Sequence, residues 1–316
     1  MTRFIAGRLL AGAVTLLLSS IIVFAMVRFI PGDPISARLT EGGLSEDALA
    51  RVRKLYGLDE PIYKQYWVWI SSVAQGDLGS SLVTHSPVLK ETLVRIPRTI
   101  YLAAAGMLVA LAIAVPVAIV GARHEGGRVD SGLSSAIAVL IAVPNFVIGI
   151  FLIVLFAVQV HLFPVGGYVE PVTHPGLFLK SMALPALTIG LPAAAVIARV
   201  LRTSLIEEMQ RDYIRTVEAW GASRFQAIVR HALPNAAVPT VTVVGLQIGY
   251  LLGGALVVEL IFSYPGIGLL LLNSITERDY PTIQGCLMFF ALAFVVVNLL
   301  TDLVTAALNP RLRVSR

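Results

Sequence analysis

The sequence predicts an all-α polytopic membrane protein with six transmembrane helices and both termini in the cytoplasm. Three observations carry that prediction. Hydrophobic residues fill 57% of the 316 positions and charged residues only 14%, where a soluble domain carries about 25% charge; the mean hydropathy is +0.82. The apolar residues gather into runs separated by polar stretches, and a run of about 20 residues at ~1.5 Å each crosses a hydrocarbon core about 30 Å thick. Arginine is distributed unevenly among the polar stretches. The net charge of +5 therefore reads as a positive-inside bias toward the lipid bilayer, with no nucleic acid expected as a partner.

The first apolar run, residues 9–27, follows Arg3 and Arg8 and ends at Arg28. It is too long for a cleaved signal peptide, and no small-residue cleavage site follows it before Pro31. A retained first helix within residues 1–29 is expected. Residues 30–98 are polar enough to form an external segment. The PGDP at 31–34 cannot continue a helix. A helix is expected over 45–56, closed by Gly57. Another should begin near Pro61, since proline suits a first helical turn, and end before Gly76. Tyr63, Tyr66, Trp67 and Trp69 make it aromatic, as an interfacial anchor would be.

Five further spans are expected, at 99–120, 131–160, 184–201, 236–258 and 285–308. The third run of the chain, 131–160, is too long for one upright helix, so it should tilt and kink at Pro144. Pro192 lies inside the fourth. Residues 259–282, which contain SYPGIG and TERDYP, read as a loop, and 309–316 as a tail. Six spans put both ends on one side. Arg3, Arg8, Arg123, Arg128, the arginines of the central polar stretch and Arg311, Arg313 and Arg316 all fall on that side, against only Lys180 and Arg278 in the two short loops opposite. That side is the cytoplasm. The long 30–98 segment is exempt, because long loops translocate regardless of charge.

Several kinds of chemistry have no foothold. No GxxxxGK[ST] cradles a phosphate, and no HExxH or other close set of ligand residues suggests a metal. No catalytic, cofactor-binding or metal-binding residue is assigned. His85, His124, His161, His174 and His231 are scattered and read as surface residues. Cys286 stands alone, which excludes an internal disulfide, and its apolar setting reads as a buried core position. Asp302 is the one acid placed inside a span; it lies about two turns from the cytoplasmic end and should pair with a nearby arginine. Substrate-binding positions cannot be read from helices that are apolar all round.

The longest polar run of the second half is residues 204–234. Ile206, Met209, Tyr213, Val217 and Trp220 recur at steps of three and four, one face of a helix. Gly221 breaks the pattern, as glycine does just past a helix end. Ser223 with Gln226 three later reads as a capping box. A second amphipathic stretch follows, with Phe225, Ile228, Val229 and Ala232 on one side, and Pro234 should end it. On spacing alone an ordinary amphipathic linker between two spans is the favoured reading.

The residues themselves shift it. Residues 215–234 resemble the loop shared by the membrane subunits of ATP-binding-cassette importers, which reads EAA, three residues, Gly, nine residues, Ile, one residue, Leu-Pro. Gly221, Leu233 and Pro234 stand at the matching positions. Arg215, Thr216 and Val217 replace the EAA triplet, and His231 replaces the Ile. The ordered string PGDP, YGLDEPIYKQYWVWI, GDLGSS is similar to the first membrane subunit of dipeptide, oligopeptide, nickel and glutathione importers.

That resemblance implies the type I importer permease fold in a bacterial inner membrane. It implies a multi-pass permease subunit that forms the translocation path with a sister permease. One or two ATPase subunits would carry ATP and Mg, and an extracytoplasmic substrate-binding protein would deliver the substrate. This chain would hold no cofactor and break no bond. Di- or oligopeptides are the implied substrates, with nickel or glutathione as alternatives. The layout becomes a first helix at 1–29, an external segment at 30–98, a five-helix core at 99–308 and a tail at 309–316. The coupling loop at 202–235 would dock on an ATPase subunit. Its coupling residues are Arg215, Thr216, Val217, Glu218, Ala219, Trp220, Gly221, Ala222 and Ser223, with Leu233 and Pro234. A secondary transporter or channel is the competing class. It would need buried carboxylates or histidines and inverted repeats with broken helices, and would not co-purify with an ATPase.

Overall fold

A computed structural model describes residues 2–29 and 59–308. The PGDP turn, the helix expected over 45–56 and the tail arginines lie outside the described residues. The elements in order are α1 (Thr2–Phe29), α2 (Ile62–Ala74), α3 (Val88–Arg123), α4 (Arg128–Ala142), α5 (Asn145–Gln159), α6 (Pro175–Met209), α7 (Asp212–Ala219), α8 (Arg224–Ile261), α9 (Ile267–Thr276) and α10 (Tyr280–Leu308). Among the described residues there is no strand, only a bridge between Ser80 and Pro87. Among the described residues five helices are long and apolar enough to cross a membrane, and α4 with α5 makes a sixth if the bent pair counts as one span.

Four expectations change. Residues 131–160 do not form one kinked span: α4 and α5 meet at 103°. Val143 (ψ 126°) and Pro144 (ψ 143°) are both extended, because proline drives the residue before it out of the helical region. The fourth span is longer than 184–201. It starts at Pro175, in the first turn where its missing N–H costs nothing, and carries Pro185 and Pro192 inside. Pro234 does not end a helix: α8 runs through it, since the preceding turn, Ala227–Ala232, is π-wound and has already interrupted the i→i−4 ladder. Residues 259–282 are mostly helical, forming α9 and the start of α10.

The described residues divide into two compact units. One holds Pro97–Leu269, the N-terminal turns of α1 to Arg8 and the end of α10 from Val296. In it α6 is the most buried long helix, with α4, α5 and α8 packed along it. It also crosses α3 closely: a Cβ on Gly190 would lie 2.6 Å from the Gly106 carbonyl. Small residues let membrane helices approach this way and gain van der Waals contact that lipid cannot supply. Arg8 Nη1 lies 3.1 Å from Asp302 Oδ2, the partner expected for that acid.

The SYPGIG motif finds its reason in the same unit. Glu259 is fully buried at the end of α8. Its carboxylate accepts from Thr99 Oγ1 (2.7 Å) and from the Leu269 N–H (2.9 Å) in the first turn of α9, and Thr99 Oγ1 accepts in turn from the Ile267 N–H (2.9 Å). An anion at a helix N-terminus satisfies donors that have no intrahelical partner. Gly266 leaves the room for it, since a Cβ there would fall on the Glu259 carboxylate. Tyr264 donates to the Arg98 carbonyl (2.9 Å) and burial pushes its phenol well above the ordinary range, while the Arg98 guanidinium lies 4.7 Å from the Tyr168 ring centroid.

Gly266→Ala is therefore expected to lower the Tm of the purified chain in detergent, on the scale of about 1–3 kcal/mol for overpacking. Gly253→Ala, where a Cβ meets nothing within 4 Å, is the control and should hold or raise it. Equal melting of the two variants would reject the close-approach account.

The other unit holds α1 from Leu9, residues 59–96 and Leu270–Val295. Asp279 of TERDYP is buried and accepts from Ser81 Oγ (2.5 Å), the Leu82 N–H (2.9 Å) and Thr282 Oγ1 (2.7 Å). Ser81 ends GDLGSS, so two motifs about 200 residues apart meet in one hydrogen-bonded knot. Cys286 is fully buried, as its apolar setting suggested.

Candidate functional site: a helical joint at Gly221

The polar stretch 204–234 folds as three pieces rather than two. α6 continues to Met209, Gln210 turns, and Arg211 is extended (ψ 146°) before α7 begins at Asp212. The periodicity of Ile206, Met209 and Tyr213 therefore spans a break, and the face it drew is displaced. Ile206 and Met209 do pack against the core, but the residue α7 buries fully is Ile214, while Tyr213 stays partly exposed and Trp220 is 84% exposed.

α7 carries Arg215, Thr216, Val217, Glu218 and Ala219, and Trp220 caps its C-terminus. Gly221 follows at φ +93°, in the left-handed region that a Cβ disfavours. Its N–H donates to the Glu218 carbonyl (2.9 Å), and the Ala222 N–H donates to the Val217 carbonyl (3.3 Å). These are the two bonds of a Schellman motif, closing the carbonyls that a helix end leaves open. Ser223 then opens α8 with the expected capping box: its Oγ accepts from the Gln226 N–H (3.3 Å), and Gln226 Oε1 accepts from the Ser223 N–H (3.0 Å). One helix stops and another starts within three residues, each end satisfied by its own sequence.

The joint rests on an apolar bed. Ala118 and Ala122 of α3, Leu201 and Leu205 of α6, Ile214 of α7, and Ala227, Ile228, Ala232 and Ala236 of α8 form one buried cluster, with Leu233 packed against it. Alanine dominates where the helices approach, so Ile214 and Ile228 fill the gap between them. Tyr213 ties the pieces together at the surface. Its hydroxyl donates to Glu208 Oε2 (2.8 Å) and accepts from Asn235 Nδ2 (3.0 Å). Burial pushes the phenol above its ordinary range, which keeps that proton in place. Arg215 and Asp212 pair at 3.6 Å on the open surface, which contributes little.

Beside this bed, Arg202 of α6 reaches Asp130 at the start of α4. Nε donates to Oδ1 (2.6 Å) and Nη2 to Oδ2 (2.5 Å), and the Gly126 N–H donates to Oδ2 (3.0 Å). Asp130 is only 5% exposed. Such a two-pronged pair fixes direction as well as distance. Nothing in the sequence linked residues 72 positions apart.

Of the eleven residues singled out, Arg215 to Ser223 lie together along α7 and its joint. Leu233 and Pro234 do not join them: they stand on α8 about 15 Å along the axis from Ser223 at ~1.5 Å per residue. Leu233 belongs to the bed and Pro234 is exposed. The large apolar side chains exposed at the joint are Trp220 and the half-exposed Phe225, a small apolar knob in a stretch where Arg215, Glu218 and Arg224 are exposed too. The five histidines are all exposed.

Comparison with known proteins bears on the family and the fold. Residues 114–314 match the family described as binding-protein-dependent transport system inner membrane component, and residues 1–103 match its N-terminal companion. The chain is 39% identical over 315 residues to the glutathione transport system permease protein GsiC of Shigella flexneri serotype 5b, and 38% identical to that of Pectobacterium atrosepticum; each alignment covers 99% of both chains. Among solved structures, an inward-facing MetNI methionine ABC transporter chain superposes with a TM-score of 0.57 at 17% identity, covering 69% of this chain and 96% of that one.

Proposed function

The chain belongs to the binding-protein-dependent transport system inner membrane component family, and from that premise we propose that it imports short peptides, glutathione first among them. As a family member it is a multi-pass permease of an ABC importer in the bacterial inner membrane. The observation that carries the substrate reading is the 39% identity, over 99% of both chains, to permeases named for glutathione, itself a tripeptide. ATP and Mg belong to the ATPase subunits in this reading, and a sister permease completes the path.

The joint at Gly221 is the coupling element. The knob of Trp220 and Phe225 enters a groove of the ATPase. The bed beneath it, drawn from α3, α6 and α8, passes the motion to the spans. Both chain ends face the cytoplasm. The arginine bias supports that side, and the Arg8–Asp302 pair supports a common side for the two ends, since it joins the start of α1 to the last turns of α10. Residues 30–98 then face the substrate-binding protein.

Reconstitution of the full complex tests this reading. Liposomes holding the chain, its sister permease and the ATPase subunits should take up labelled glutathione only with ATP and the binding protein. Dipeptides and nickel are tested in parallel, and the preferred cargo sets the branch. The isolated chain should hydrolyse no ATP. With Cys286 replaced, a cysteine at exposed Ser80 should label from outside and one at exposed His124 only after permeabilisation. Uptake independent of ATP would place the chain with secondary transporters, and reversed labelling would overturn the orientation.

A further inference from the structure

The helix α2 divides its aromatic residues between two directions. Tyr66 and Trp69 turn onto α1. The Tyr66 hydroxyl lies 2.8 Å from Ser20 Oγ, and the Tyr66 and Trp69 rings meet Phe24 at centroid distances of 5.4 and 5.7 Å. Tyr63 and Trp67, one turn apart, point away and are 76% and 71% exposed, flanked by exposed Ile62 and Val68. A solvated helix gains nothing from such a face, and contiguous exposed apolar surface marks a contact.

The place where α2 is held says which contact. The apolar span of α1 runs Ile5–Met26. Ser20 and Phe24 lie inside it, about 9 Å and 3 Å short of its end at ~1.5 Å per residue. Tyr66 and Trp69 are thus anchored along the last two turns of that span, next to the depth where hydrocarbon gives way to headgroups. Only 17% of the α1 span is buried, and Leu18 and Ile22 are more than half exposed, so α2 is fastened to an apolar helix that the rest of the chain leaves largely uncovered. Tyrosine and tryptophan combine an apolar body with a polar tip and suit that boundary. Lys64, the one cation of the helix, holds Glu60 at 3.0 Å and reaches outward from an apolar stem.

We propose that α2 is an interfacial helix whose Tyr63–Trp67 face rests in the headgroup–acyl boundary of the phospholipid leaflet beside it. Assigning that leaflet to the outer side rests on the orientation given above; the lipid contact does not. The helix then fixes the height over the membrane of the external residues that follow it, Gln75 to Pro87.

Nitroxide labels test it in the assembled complex. Tyr63→Cys and Trp67→Cys are made separately in a Cys286→Ala chain, so that each label leaves the other ring in place. The labelled chain is joined to cysteine-free partner chains in phospholipid nanodiscs. Collision with dissolved oxygen, which concentrates in lipid, is compared with collision with a water-soluble nickel chelate. Oxygen should exceed the chelate severalfold at both positions, and the order should reverse at Ser80→Cys. Chelate access at 63 and 67 would overturn the proposal by placing the face in water. Shielding from both agents would overturn it by placing the face against a protein, the sister permease first. Sidedness is read separately from the Ser80 labelling, so a failed orientation leaves this result interpretable.

Discussion

Gly221→Val is expected to give a complex that reaches the membrane in normal amount and transports poorly. Gly221 sits at φ +93°, where a residue with a Cβ costs about 1–2 kcal/mol and a β-branched one is a still rarer occupant. A Cβ there meets nothing within 4 Å, so no clash drives the effect and the spans on either side are untouched. The strain is relieved by rotating the backbone out of the left-handed region. That breaks the two Schellman bonds from Gly221 and Ala222 and changes the angle between α7 and α8. Trp220, 84% exposed, moves with α7, while Phe225 stays on α8, so the knob is split.

Uptake should fall by tenfold or more, with ATPase subunits weakly attached or insensitive to loaded binding protein. Gly221→Asn should recover part of the loss, because asparagine tolerates the left-handed region. A passive linker predicts near-normal uptake for all three chains. Transport of the valine variant close to wild type at equal abundance would reject the coupling role.

The Asp130–Arg202 pair should show the largest single loss of stability. Removing one member of a buried, hydrogen-bonded pair costs roughly 3–5 kcal/mol, because the other charge is left without compensation. Arg202 keeps 23% of its side chain exposed, which places the expected cost of Asp130→Ala at the low end, about 3 kcal/mol. Gly121 lets the arginine stem lie across α3, since a Cβ there would be 3.0 Å from Arg202 Cδ. Three helices are therefore held by one contact beneath the joint.

Asp130→Ala or Arg202→Ala alone should lower membrane abundance and the Tm of the purified complex. Asp130→Leu with Arg202→Met should recover most of it, because the burden lies in the unpaired charge and not in the lost bond. If the double change is as unstable as either single one, the pair acts through direction and not through charge balance. Single variants that melt like wild type would remove the strut altogether.

Much of the joint was legible because its determinants are local. Gly221 and the Ser223–Gln226 box act within a few residues, and their spacing is their geometry. The break at Gln210 and Arg211 was not legible, since the apolar rhythm runs on across it; after the break Ile214 is buried in one cluster with residues of α3, α6 and α8, most of them far away in sequence. Pro234 was misread for a similar reason. Its meaning as a helix stop assumes a regular ladder before it, and the π turn at Ala227–Ala232 removes that assumption.

The sequence by itself determined that the chain is helical, membrane-spanning and a relative of importer permeases. These follow from composition, run length and ordered motifs, which average over many residues and survive ignorance of contacts. Tertiary structure alone decided what the isolated acids do. Glu259 caps α9, Asp279 gathers Ser81 and Thr282, and Asp130 receives Arg202. Each was read as a loop charge or passed over. A carboxylate in a membrane protein is costly unless donors converge on it, and most of those donors come from elements that only folding brings together.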